Sequence, residues 1–431
     1  MRVWRHSGKR PKAQGNSIKE AKVAKYHVGV DVGKSKHKAC IRNLLQDSYS
    51  GAFSFPVERQ GFEKFLTTLE KLSPEKEDFL IGIEASGNCG ATLAYFLLSH
   101  GYTVLELNPY RANQFRKAEG KKAKTDRVDA RSLAGLLSLE NHKPLSIPDP
   151  ITDNLKEFTR FRSDLVKDRT SLVNQLHNCL TSLFPEFAAL FAEIRSVTCL
   201  ALLISYPGPQ YILAAGEKEL TQALSIASHG QRGEAMAKEL IKVANATVGI
   251  TQKQSSLGVR VTILSERILA LNAAIERVER EIKTLFSKLP YKVEDFPVGD
   301  TIALATIIAE IEDIHRFSTV KQFLSHFGWC PRTFQSGGYT AEHPRMSHAG
   351  NRYVRRIIWM LSIAAIRAIP RYHTYFQRRI EAGKAKMDII VAVGRKLLSV
   401  FYAILKRGIP YNPDWEVNRC HFALARVLAR A

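Results

Sequence analysis

The sequence predicts an α/β domain near the N-terminus followed by a long, mainly helical remainder, an α/β plus α chain. Between Tyr26 and about Leu139, apolar runs of strand length alternate with segments of helical spacing. From about Ile151 to Leu289 the composition turns helical, and one stretch repeats apolar residues in unbroken steps of three and four. Beyond residue 291, turn residues separate further apolar helices. The expected divisions are a basic arm over 1–25, an α/β domain over 26–150, a helical region over 151–290 and a C-terminal domain over 291–431.

Tyr26 to Val32 reads as a strand, Gly33-Lys34-Ser35 as a turn, and Lys38 to Arg42 as its hairpin return. Tyr49 to Phe55 suits a third strand. Gly61 to Leu72 carries Phe62, Phe65, Leu66 and Leu69 at helical spacing, and the strand Phe79 to Glu84 follows. A helix over Gly90 to Ser99 and a strand over Thr103 to Leu107 complete the alternation. An antiparallel hairpin followed by β-α-β units is the order of a ribonuclease-H-like domain.

In the middle region Val261, Leu264, Ile268, Leu271, Ile275, Val278, Ile282, Leu285 and Leu289 form a coiled-coil seam roughly 40 Å long. Leu155, Phe158, Leu165, Leu172, Leu176 and Leu183 give a second seam, interrupted by Arg162 and Arg169. Heptads do not reveal their partner, so the two pair either as an antiparallel hairpin in one chain or across chains as a dimer or tetramer arm. Pro290 and Pro297 close the long helix. Gly299 then opens the apolar helix Thr301 to Ile311, which looks like half of a helix-hairpin-helix unit able to meet a phosphate with its first amides.

The formal charge of +22 on 431 residues favours a polyanionic partner, nucleic acid before a lipid surface. From residue 331 onward, 18 Lys and Arg face 5 Asp and Glu, so about 13 of the positive charges concentrate there. Six scattered cysteines show neither zinc-site spacing nor the density of a disulfide scaffold. Residues 1–25 lack the apolar segment of a secretory signal, and no stretch is long and apolar enough to span a bilayer. A cytoplasmic, nucleoid-associated protein is expected.

Asp126 and Asp129, three apart on a helix, present both carboxylates on one face. Asp31 and Glu84 end two strand-like runs, so four acids from separate segments can converge. Any one of them alone reads as a solvated residue. Together they raise one another's pKa unless a cation intervenes, and an all-oxygen set suits Mg²⁺, with Mn²⁺ as a substitute. Two such ions can stabilise the attacking and leaving oxygens of a phosphodiester. Ser336, beside Gly337 and Gly338, sits on backbone able to approach a ligand closely, although the same composition makes an ordinary turn. Arg352, Arg355 and Arg356 follow the turn Gly350-Asn351 at helical spacing and, with Asn351, suit nucleic-acid contacts, as do Lys124, Arg127 and Arg332 beside the candidate catalytic groups. His343 and His348 are loop candidates for proton transfer.

Asp31 in Gly29-Val30-Asp31-Val32-Gly33-Lys34, Glu84 in Ile83-Glu84-Ala85-Ser86-Gly87, and Lys124-Thr125-Asp126-Arg127-Val128-Asp129-Ala130 resemble the four-acid pattern of DEDD-type insertion-sequence transposases, the insertion-sequence-110 family. Pro297-Val298-Gly299, Phe327-Gly328-Trp329, Ser336-Gly337-Gly338 and Gly350 through Arg356 resemble that family's second characteristic domain. The resemblance implies a RuvC-like domain binding Mg²⁺ through Asp31, Glu84, Asp126 and Asp129, and a C-terminal domain whose serine, Ser336 here, joins covalently to double-stranded DNA. It also implies a structured guide RNA from the element's flank and a multimer with composite active sites. Many relatives carry a small hydroxyl residue just before the serine, where this chain has Gln335.

Other readings make different demands. A Holliday-junction nuclease would use the four acids with metal-activated water and form no covalent intermediate. An actin-like kinase or ATPase would use Gly29 to Lys34 as a phosphate loop, a role that the positive charge and Asp126/Asp129 disfavour. A non-catalytic scaffold would tolerate loss of Asp31 or Asp126.

Overall fold

The computed structural model describes residues 24–84, 87–119, 125–139, 144–291, 293, 296–330, 335–336, 339–340, 350–408 and 410–411. Contacts divide the chain into one unit over Met1–Ile147 and another over Pro148–Ala431.

The first unit holds β1 (Tyr26–Val32), β2 (Lys36–Asn43), β3 (Ser48–Tyr49), β4 (Phe53–Pro56), α1 (Arg59–Glu70), β5 (Phe79–Glu84), α2 (Ala91–Ser99), β6 (Thr103–Leu107), α3 (Pro109–Ala118) and α4 (Asp126–Leu136). The sheet order is β3-β2-β1-β5-β6, with β4 also on β2. β1 runs antiparallel to β2 and parallel to β5, and β5 runs parallel to β6. The sequence-based order of strands and helices therefore holds, with the expected third strand split into β3 and β4.

Strand alternation assigns the two faces of this sheet. Val28, Val30, Ile81 and Ile83 belong to the core that includes Phe65 and Leu69 of α1 and Leu93 and Leu97 of α2. The residues between them, Gly29 and Gly82, are paired in register and face the other way. A Cβ on Gly29 would lie 2.2 Å from the Ala134 amide nitrogen and 2.3 Å from the Ala130 carbonyl, so α4 rests directly on β1 because both surfaces are small there. Thr125 caps α4, and Asn108 caps α3 ahead of Pro109 at its first position.

The second unit begins with α5 (Pro150–Leu183), capped by Asp149. It continues through α6 (Phe187–Leu190), α7 (Val197–Ser205), α8 (Pro209–Ala227), α9 (Glu234–Asn245) and α10 (Gln254–Phe286). The two long helices, α5 and α10, pair within the chain. Arg162 meets Glu279 and Arg169 meets Asn272, a seven-residue advance on α5 matched by a seven-residue retreat on α10, so they run antiparallel. Val261, Leu264, Ile268, Ile275, Val278 and Ile282 are buried along this seam.

The chain closes with α11 (Thr301–Ile311), α12 (Val320–His326), the short strands β7 (Gln335–Ser336) and β8 (Tyr339–Thr340), α13 (Arg352–Ala368), α14 (Pro370–Glu381) and α15 (Lys386–Arg407). The sequence suggests a boundary near residue 290, but the packing runs across it. Leu155, Val278, Ile282 and Phe286 share one apolar core with Ile307, Trp329, Ile358 and Phe401. The apolar helix α11 lies in that core, buried from Ile302 to Ile311 except Ala303, and Asp300 caps its first turn through the Ala303 N–H at 2.8 Å. No single described helix is long and apolar enough to cross a membrane. The described cysteines 89, 179, 199 and 330 are free thiols.

Candidate metal and nucleic-acid site

Asp31 and Glu84 stand two residues beyond the paired glycines Gly29 and Gly82, on adjacent parallel strands. Alternation puts both acids on the glycine face of the sheet, at the carboxyl ends of β1 and β5. That face is covered by α4, whose first turn carries Asp126 and Asp129. The sheet and the helix thus bring four acids from three segments to one end of the first unit.

Their proximity shows in the charge of Asp31. Burial, followed by Asp126, Glu84 and Asp129 in that order, pushes its carboxyl up to about 6, against a smaller downward pull from Lys38. Lys38 lies directly across the hairpin from Asp31 and reaches Asp126 Oδ2 at 3.5 Å. Arg116 of α3 donates from Nη1 to Asp129 Oδ1 at 2.9 Å and from Nη2 to Asn113 Oδ1 at 2.7 Å. Asp126 is 72 % exposed, whereas Asp129 is only 20 % exposed, so the Arg116 pair is the more tightly held.

These residues fit a hard divalent cation by charge and donor type. Among the described residues, no three His, Cys, Asp or Glu side chains are already closed around a common point. Instead, Lys38 and Arg116 take up part of the negative charge, and Asp31 keeps the penalty of the rest. Neither base was singled out from the sequence. The hairpin register could have revealed Lys38, but Arg116 requires the packing of α3 on α4.

The C-terminal candidates take different positions. Ser336 pairs with Tyr339 across the β7–β8 ladder. Asn351 caps α13, its Oδ1 accepting from the Tyr353 and Val354 N–H groups at 2.9 and 3.1 Å. Its Nδ2 donates to Glu310 Oε2 at 2.5 Å, so the Asn351 amide is engaged within the chain on both sides. Glu310, in α11, also receives Arg160 Nε at 2.6 Å and Nη2 at 2.8 Å. Gly350 turns at φ +125°, and a Cβ there would meet the Gly328 amide nitrogen at 2.6 Å. Glycine is needed to bring the strand of chain before α13 against the turn after α12. Arg352 and Arg356 are exposed one helical turn apart, while Arg355 leans back toward the Gly350 carbonyl at 3.4 Å. Arg127 is exposed on α4. Lys124, Arg332, His343 and His348 lie outside the described residues.

A family model described as "Transposase" matches residues 28–185, which include all four acids, and the model "Transposase IS116/IS110/IS902 family" matches residues 292–377. The protein is a DNA transposase, of the class of site-specific DNA recombinases. The insertion element IS116 protein of Streptomyces clavuligerus is 25 % identical over 91 % of this chain and 97 % of its own length. The insertion element IS110 protein of Streptomyces coelicolor is 22 % identical over 89 % and 95 %. The pilin gene-inverting protein of Moraxella bovis is 22 % identical over 90 % and 98 %. The chain belongs to the IS110 family of insertion-sequence transposases.

Proposed function

We propose that this transposase cuts and rejoins the DNA of its own insertion sequence, using a divalent metal held by Asp31, Glu84, Asp126 and Asp129 and a covalent linkage through Ser336. The sheet-and-helix order of the first unit supports a RuvC-like reading of residues 26 to 150. The observation that carries the metal site is the placement of Asp31 and Glu84 at the ends of adjacent parallel strands beside the first turn of α4 with Asp126 and Asp129, in keeping with the raised Asp31 carboxyl. Acids left under such mutual repulsion persist where a function needs them. Mg²⁺, or Mn²⁺ in its place, would neutralise the charge developing on phosphate oxygens when bound.

The serine step is a transesterification. Ser336 Oγ forms a bond to a backbone phosphorus as the bond from that phosphorus to a sugar oxygen breaks. The serine proton ends on the departing sugar oxygen, and the phosphodiester count is unchanged. Arg352 and Arg356, exposed at the start of α13, would hold neighbouring phosphates. A coiled-coil assembly of two or four copies belongs to the same reading. Phe161 on α5, and Val259 and Ile263 on α10, leave apolar surface outward for a second copy. A structured guide RNA rests on the family resemblance and on the net charge of +22.

The test is to trap the cleaved complex from wild type and from Ser336→Ala. Wild type should yield a protein–DNA adduct and the variant none. An adduct from the alanine variant overturns the serine assignment. Cleavage by wild type with no adduct points instead to a nuclease using metal-activated water.

A further inference from the structure

Arg162 and Arg169 break the apolar repeat of α5, and neither the acid site nor the start of α13 uses them. A charge in a packed seam demands a partner. Arg162 has a carboxylate, donating to Glu279 Oε1 from Nη2 at 2.8 Å and from Nε at 3.0 Å. The partner of Arg169 is neutral, Asn272 Oδ1 at 2.9 Å. Asn272 in turn donates to the Arg195 carbonyl at 3.3 Å, tying α5, α10 and the segment before α7 together at one point.

Beside that point lies a cavity of about 350 Å³, lined by Arg169, Thr170, His177, Phe191, Glu193 and Arg195 among others. Its one carboxylate, Glu193, is already paired with Arg195. Outside that lining, Arg232 holds a guanidinium over the Phe191 ring at 5.0 Å, and its buried Nη1 has no hydrogen-bond partner among the described residues. Burial, and then the charges of Arg195 and Arg162, hold the Arg169 guanidinium below its ordinary value, against a smaller upward pull from Glu279 and Glu193. Two guanidinium groups, Arg169 held by Asn272 and Arg195 held by Glu193, thus face one carboxylate in the lining. Arg195 is half exposed, so the opening admits a chain from outside.

We propose that this cavity binds one backbone phosphate of a nucleic acid, with Arg169 and Arg195 as its donors. Planar guanidinium groups match phosphate oxygens, and a preformed pair costs little ordering on binding. The proposal rests on reading the chain as a nucleic-acid-handling transposase. It adds a contact in the helical region, away from both candidate catalytic motifs in the sequence.

The experiment measures binding of the full chain to a duplex DNA oligonucleotide and to a folded RNA hairpin across a salt series. Arg169→Gln and Arg195→Gln should each weaken one of the two about tenfold, as loss of a charged hydrogen bond does. Each should also flatten the log–log salt slope by about one phosphate's worth. The probe that responds identifies the source of the phosphate. Thr170→Glu places a carboxylate at the opening without removing an arginine contact, and should have the same effect even if Arg169→Gln fails to fold. Lys283→Gln, on an exposed position of α10 roughly 16 Å from Asn272, should have a smaller effect. Folded variants with unchanged affinity and slope for both probes overturn this site alone, as does an equal loss in Lys283→Gln. Wild type that binds neither probe overturns the nucleic-acid reading along with it.

Discussion

In the first unit, Asp31 shares a sheet face with Glu84 and the leading turn of α4, and its carboxyl is driven up to about 6. In the second, Glu310 is more deeply buried, with only 2 % of its side chain exposed, yet Arg160 closes on both its oxygens and Asn351 adds a third hydrogen bond. The Arg160 guanidinium is correspondingly raised, first by its hydrogen bond to Glu310. Depth of burial therefore does not separate the acid proposed to hold a metal from a structural one. The balance of countercharge does, because a paired buried acid stabilises a particular packing and a crowded one is poised to accept a cation. Glu310 joins α5, α11 and the N-terminus of α13. Asp31 opens onto the place where the transposase is proposed to hold its metal.

That contrast can be broken by experiment. Asp31→Ala should reduce strand cleavage about a thousandfold, corresponding to the several kcal/mol of charge stabilisation a metal supplies, while the metal-free protein stays folded. Cleavage at the wild-type rate would remove Asp31 from the site. Glu310→Ala should do the reverse, lowering stability by about 3 kcal/mol in urea unfolding because Arg160 is left half-buried without its carboxylate. A loss under about 0.5 kcal/mol would reduce the Glu310 network to ordinary surface chemistry. Asn351→Ala should cost about 1 kcal/mol through the lost cap of α13, and weaken DNA binding only as far as α13 frays. If DNA affinity falls while stability does not, Asn351 touches DNA directly.

The smallest effect concerns protons. His37 is fully buried against Phe55 and Phe62, and neither ring nitrogen has a hydrogen-bond partner among the described residues. Burial lowers its pKa from the ordinary 6.5. The unfolded chain therefore takes up the proton first on acidification. The stability contributed by neutral His37 is full above pH 6.5 and is lost as pH falls from there toward its folded pKa. His37→Phe should abolish that part of the acid sensitivity of the first unit, seen as a smaller difference between unfolding midpoints measured above and below pH 6.5. An unchanged difference would show that His37 does not titrate in this range.

Much of the architecture could be read from residue patterns because it depends on local periodicity. The strand-helix alternation from Tyr26 to Leu107, the capped helix at Asp126 and the two long helices follow from spacing and caps within each segment. The repeated glycine-apolar-acid pattern, Gly29-Val30-Asp31 and Gly82-Ile83-Glu84, even contains the reason the acids share a face with α4, since each acid follows its glycine by two positions in a strand. The choice of partner for the long helices was not legible, since a heptad stripe records which residues seek burial and not what covers them. The same holds for Arg116 at Asp129, for Arg160 and Asn351 at Glu310, and for the core that runs across residue 290.

What the sequence determined by itself was the set of elements and the four acids placed on them, because periodicity, capping and like charge act over a few residues. Only the tertiary structure decided which charges are neutralised. An ion pair such as Arg160 with Glu310 spans 150 positions of chain, and its desolvation is offset only when packing brings both partners into place.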